Sequence, residues 1–88
     1  MAATKMTAAE IMSAALAITR ACQRAGKAGY RGKINLGREA LGNRRNSWLA
    51  APVEHTRRLG LIAETTEGAA YVYRITALGE EVLGRGVA

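Results

Sequence analysis

The 88-residue chain has no phenylalanine and no aspartate, and only one cysteine, one proline, one histidine and one tryptophan. Each scarcity excludes something. Without Phe, and with alanine plentiful, the core must be built from Leu, Ile, Val and small side chains, so it is thin and a partner subunit would add to it. The lone Cys22 cannot form an internal disulfide, which excludes a disulfide-stapled secreted scaffold and fits a reducing compartment. On the apolar face of a helix it reads as a small buried hydrophobe rather than a redox sensor. One Cys and one His fall short of the three or four protein ligands of a zinc site, so no metal or other cofactor is expected. No Asp is present, and no Ser/His/acid or Cys/His pair is suggested by spacing; the chain is not expected to be an enzyme. No apolar run approaches the roughly 20 residues that span a bilayer, and the N-terminus lacks the zones of a secretory signal. A cytoplasmic protein is expected.

A chain of this length forms one small domain, because it buries only about 60–65% of the surface its unfolded form exposes. Residues 1–6 are expected as a flexible N-terminus and 7–88 as the domain. The net charge is +6. Its distribution says more than its total. Residues 1–19 balance Lys5 against Glu10, and residues 59–88 set Arg74 and Arg85 against Glu64, Glu67, Glu80 and Glu81. Between them lie ten bases (Arg20, Arg24, Lys27, Arg31, Lys33, Arg38, Arg44, Arg45, Arg57, Arg58) and two acids (Glu39, Glu54), so the middle carries +8. Bases kept for solubility alone would be scattered among acids along the whole chain; this concentration is the footprint of a polyanionic partner.

Thr7 followed three residues later by Glu10 is a capping box, with Met6 and Ile11 placed as a hydrophobic staple. Ile11, Ala15, Ile18, Cys22 and Ala25, flanked by Met12 and Leu16, mark one broad apolar helical face ending at Gly26. That face is mostly alanine, with most of its helix's charge at one end, which argues against attachment to a membrane surface. "GKAGYRGKINLG" reads as a loop leading into a short extended piece at Ile34 and Asn35. It is not a phosphate-binding P-loop, since Gly32-Lys33 is followed by Ile34. "LGREALG" predicts a short second helix stopped by Gly42-Asn43. A third helix, capped by Asn46 or Ser47, carries Trp48, Leu49, Val53 and Leu59, and Pro52 either bends it or restarts it; the longer, bent helix is preferred. "LIAET" and "YVYRIT" are two strands joined at Gly68, and Thr76 caps a last short helix.

The residues "RRLGLI" (57–62), followed by "RITALGEEVL" (74–83), resemble the winged helix-turn-helix domains of bacterial regulators such as the MarR-like, ArsR-like and PadR-like groups. In those domains a recognition helix ends in Gly-Leu-Ile or Gly-Leu-Val, and the second wing strand closes on an apolar-Thr-x-x-Gly step, matched here by Ile75, Thr76, Leu78 and Gly79. The likeness covers about residues 30–83. Three positions depart from the pattern: Thr56 where Leu is usual, Pro52 in the recognition helix, and a wing tip, "TTEGAA", with a glutamate and no base. The resemblance implies an α+β fold of three helices, a two-stranded β wing and a short C-terminal helix. It also implies a transcriptional regulator, bacterial or from a phage, binding double-stranded DNA at the nucleoid, as a homodimer through the first and last helices.

In such a motif the start of the second helix meets base edges in the major groove. Arg44, Arg45, Asn46 and Ser47 fall there, and arginine pairs with guanine as asparagine does with adenine. The blander reading makes them a solvated, capping turn. Arg57 and Arg58, farther along, suit phosphates, as do Arg31, Lys33 and Arg38 beside the second helix. Arg74 is the one base with a path from the wing to the minor groove. Trp48 is expected to pack against a helix, and His55 to be merely exposed. An alternative from another class is an adaptor whose basic face docks on an acidic protein, such as part of the transcription machinery.

Overall fold

Thr7 and Glu10 open the first helix, α1 (Ala8–Ala25), with both bonds of the capping box: the Glu10 amide donates to Thr7 Oγ1 at 3.1 Å and the Thr7 amide to Glu10 Oε1 at 2.8 Å. The computed structural model describes residues 7–86, so Met6, its staple with Ile11 and the expected flexible N-terminus lie outside the described residues. Ala14, Ala15, Ile18, Ala21 and Cys22 of α1 are buried, whereas Met12 is 53% exposed, so the apolar face is turned slightly from the expected one. Thr19 is buried with it, and its hydroxyl donates to the Ala15 carbonyl at 2.7 Å.

After a short 3₁₀ turn at Gly26–Ala28, strand β1 (Tyr30–Arg31) leads directly into helix α2 (Lys33–Leu41). Ile34 and Asn35 are therefore helical, not extended. Local sequence favoured an extended piece here, but tertiary packing prevails: Leu36 is fully buried in the core, and Gly37 lies against helix α3 (Asn46–Arg58). A Cβ at Gly37 would stand 2.7 Å from the Leu49 carbonyl oxygen and 2.8 Å from Leu49 Cβ, so only glycine lets these two backbones approach so closely.

Helix α3 has the length of the longer alternative, starting one or two residues earlier than expected at Asn46 and running unbroken past Pro52. Its cap is neither Asn46 nor Ser47 but Arg45, whose backbone is extended at φ −60° and ψ 146° and whose side chain makes no capping bond. Pro52 is buried in the helix, where it removes the amide that would have bonded the Trp48 carbonyl. Thr56, in the place of the usual leucine, is also fully buried; its hydroxyl is satisfied by the Pro52 carbonyl at 2.7 Å, so the polar atom costs little there.

Strands β2 (Ile62–Glu67) and β3 (Ala70–Ile75) form the hairpin, and β1 joins it to make a three-stranded antiparallel sheet in the order β1-β3-β2. The sheet thus has three strands where two were expected, with Tyr30 opposite Tyr73 and Arg31 opposite Val72. Because β3 is central, Tyr73 and Val72 are both buried although they point to opposite faces: Tyr73 enters the core, and the turn before β1 folds over Val72. At the far end, Thr76 ties three elements together. Its hydroxyl donates to the Gly60 carbonyl that follows α3 and accepts from the Gly79 amide at 3.0 Å in helix α4 (Ala77–Gly86).

The core gathers Ile18, Ala21 and Cys22 of α1, Leu36 of α2, Val53 of α3, Ile62 of β2 and Tyr73 of β3. Each fully buried aliphatic side chain contributes about 1.5–3 kcal/mol, so α2 and α3 are pinned to the core chiefly by Leu36, Leu49 and Val53. Among the described residues, no helix is long and apolar enough to cross a membrane.

Candidate nucleic-acid interface

Helices α2 and α3 pass each other in opposite senses, with Lys33 beside Glu54 and Gly37 beside Leu49, and the chain turns between them at Gly42–Arg45. The turn delivers Arg44, Arg45, Asn46 and Ser47 at the start of α3, all exposed. The first turn of α3 holds no acid of its own, so its unpaired amides and positive dipole end lie among these basic and polar side chains. Asn46, being the first helical residue rather than the cap, does not spend its amide on capping. Arg44 is anchored by Nε, which donates to the Leu41 carbonyl at 3.2 Å.

Arg44 also borders a groove of about 470 Å³ between α1 and α2, with Glu10, Ser13 and the half-buried Trp48 among its lining residues. Trp48 is thus a helix-packing residue at the edge of the basic turn. The Glu10 carboxyl is held below the usual carboxylate range, first by the Thr7 backbone bond and then by the Thr7 hydroxyl, with Arg44 adding a smaller pull. Buried Cys22 is far from this chemistry. Desolvation pushes its thiol up to about 12, which makes it an inert filler.

A second basic group sits on the outer side of α2. Arg31 of β1, Asn35 and Arg38 border an open groove of about 620 Å³. Arg31, Asn35 and Arg38 are all exposed, and Asn35 and Arg38 lie one helical turn apart. An extended piece at Ile34 and Asn35 does not bring Asn35 to Arg38; with α2 beginning at Lys33, the three-residue spacing does, and Arg38 Nη1 donates to Asn35 Oδ1 at 3.5 Å.

Lys33 and Arg57 stand apart from these exposed bases. Both close on Glu54: Lys33 Nζ donates to Oε2, while Arg57 donates to Oε1 from Nη2 at 2.7 Å and from Nε at 3.1 Å. The Lys33 bond, then the Arg57 bonds, bring the Glu54 carboxyl down to about 2. Its side chain is 27% exposed, so the triad is only partly shielded from water. The outward stripe of α3 therefore reads Asn46, Ser47, Ala50, Ala51, Glu54, His55 and Arg58, with small residues at its middle.

Arg74 is fully engaged within the fold, between the turn before β1 and the hairpin tip. It donates to the Lys27 and Ala28 carbonyls and to Thr65, and pairs with Glu67 at 2.7 Å. The glutamate beside Gly68 is thus the one that Arg74 pairs with, and exposed Tyr71 lies on the opposite face of the hairpin from Arg74.

Comparison with protein-family models, with curated proteins and with solved structures gives no match for this chain. The functional reading therefore rests on the geometry. It consists of an exposed Arg-Arg-Asn-Ser turn opening a helix, an Arg31–Asn35–Arg38 group on the neighbouring helix, and a charge-compensated triad where the two helices meet.

Proposed function

We propose that the chain is a winged helix-turn-helix regulator that binds double-stranded DNA sequence-specifically, with α3 in the major groove. The observation that carries this reading is that the α2–turn–α3 unit lies within the +8 middle segment and holds six of its ten bases, Lys33, Arg38, Arg44, Arg45, Arg57 and Arg58, against Glu39 and Glu54. The element order and the β1-β3-β2 sheet are what a winged helix requires, and they support the same reading. Arg44 and Arg45 would offer guanidinium forks to guanine and Asn46 its amide to adenine. Arg31, Arg38 and Arg58 would hold phosphates and fix the register. Arg74, spent on the turn before β1, is left out of this contact set, and so the wing contributes no minor-groove arginine. A homodimer through α1 and α4 would place two such helices on a pseudo-palindromic site; exposed Met12 on α1 and Leu78 on α4 are apolar surface for it.

A duplex-binding titration at two salt concentrations tests this. Affinity should fall by about 0.9 log units per log unit of salt for each phosphate neutralised. Undetectable binding to any duplex at low salt overturns the proposal.

A hairpin tip without an available base, its Glu67 paired with an engaged Arg74, favours a second reading, an adaptor whose basic face docks on an acidic protein. Co-purification with one protein that survives nuclease treatment, in the absence of duplex binding, would establish it instead.

A further inference from the structure

Lys33 and Arg57 come from different helices, 24 positions apart in the chain, yet both put their charge on one carboxylate. Glu54 lies on the outward side of α3, between the Ala50–Ala51 stretch and Arg58, and only about a quarter of its side chain is exposed. Two cations converging on two oxygens is the arrangement a phosphate would receive from the same side chains. Resting on the DNA-binding reading above, we propose that Glu54 is a built-in phosphate substitute. It occupies Lys33 and Arg57 so that they do not add to backbone affinity, and thereby limits non-specific binding.

The reasoning is electrostatic. Base-edge contacts carry sequence information, whereas every cation available to phosphate strengthens binding to all duplexes alike. The triad contributes a net charge of one where its two bases alone would contribute two, and the two positive side chains are already oriented and hydrogen-bonded. Among the described residues, no carboxylate forms an ion pair with exposed Arg31, Arg38, Arg44, Arg45 or Arg58. Arg24 pairs loosely with Glu39 at 3.7 Å on the far side of α2, with both side chains about half exposed, so Glu39 does not serve the same purpose at the α2–α3 crossing. Glu54 is therefore the residue that sets how much of the basic surface is offered to phosphate, while the turn at Arg44–Ser47 sets what is read.

The test uses the full chain and a duplex of random sequence, with Glu54→Gln compared to wild type between 50 and 200 mM salt. Gln keeps the shape and one acceptor but removes the charge. Glu54→Gln should bind this duplex more tightly at 50 mM salt, and its salt slope should steepen by about 0.9–1.8. Over that fourfold range, it should lose roughly 3- to 12-fold more affinity than wild type does. Adding Lys33→Ala and Arg57→Ala to Glu54→Gln should return the slope to the wild-type value or below. Wild-type binding with an unchanged or shallower slope in Glu54→Gln overturns the proposal while leaving DNA binding intact. Binding by neither protein at low salt overturns the DNA-binding reading itself and the proposal with it. If Glu54→Gln fails to show the cooperative melt of wild type, Arg57→Ala tests the same claim: an occupied Arg57 predicts an unchanged salt slope on the random duplex, and a slope shallower by about 0.9 overturns the proposal.

Discussion

The α2–α3 crossing stands or falls on Gly37, and a single methyl group measures it. Gly37→Ala should gain about 0.8–1 kcal/mol from helix propensity, because alanine loses less backbone freedom than glycine in a helix. Against that gain, the new Cβ would lie 2.7 Å from the Leu49 carbonyl oxygen and 2.8 Å from Leu49 Cβ, both well inside contact distance. Backbone cannot yield as the tip of a long side chain can, and overpacking of this kind costs typically 1–3 kcal/mol. Loss of helical register against Leu49 would add to it, since Leu49 is fully buried. The clash therefore wins, with a net destabilisation of about 1–2 kcal/mol and a fall in Tm of roughly 4–16 °C for a domain this small. Gly84→Ala is the control: it is also in a helix, but nothing lies within 4 Å of its Cβ position, so it should be neutral or stabilising by up to about 1 kcal/mol. Thermal and urea melts followed by circular dichroism read both variants. A Gly37→Ala protein as stable as, or more stable than, wild type would mean that α2 and α3 do not approach as described, and the geometry of the Arg44–Ser47 turn would fall with it.

Other consequences are more local. Arg44→Ala should leave the fold intact, since the side chain is exposed and makes one bond to Leu41, yet reduce discrimination between a preferred duplex and a mismatched one by about 1–3 kcal/mol; equal loss on both duplexes would assign it to phosphate. Glu54 has a folded-state pKa near 2, below its ordinary 4.5, so its contribution is present above about pH 4.5 and is lost as pH falls toward 2. Allowing for screening at a partly exposed site, that is about 1–2 kcal/mol, and urea melts at pH 6 and pH 3 should show a smaller acid loss in Glu54→Gln than in wild type. An identical loss would remove Glu54 from the acid limb. Cys22, fully buried with its thiol pushed up to about 12, should resist an aromatic disulfide reagent at pH 8 until the chain is unfolded by urea; rapid reaction in the native protein would contradict its burial.

Elements with local signatures were legible in the sequence. The Thr7–Glu10 box and the Thr76 cap each need residues three apart, and both helices start where those pairs put them. The length of α3 was legible too, because Leu49 and Val53 keep helical spacing across Pro52. The start of α2 was not, since Gly32 at its cap makes no side-chain bond and Ile34-Asn35 has no local preference for a helix; Leu36 and Gly37 fix it by packing against partners far along the chain. Strand β1 is two residues long, too short to alternate, and exists through its pairing with β3. Within the candidate interface, exposure of the Arg44–Ser47 turn follows from its composition. Capture of Lys33 by Glu54, and of Arg74 by carbonyls 46 and 47 positions away, depends on the fold bringing distant residues together, whereas the Glu54–Arg57 pair is a local contact within α3. A count of basic residues cannot separate engaged cations from available ones.

The most direct measurement is an unbiased selection of duplexes from a random library by the full chain at physiological salt. The account predicts enrichment of one pseudo-palindromic sequence, with half-sites about one helical turn apart, and loss of that enrichment in Arg44→Ala. Recovery of no preferred sequence by a folded protein would contradict it.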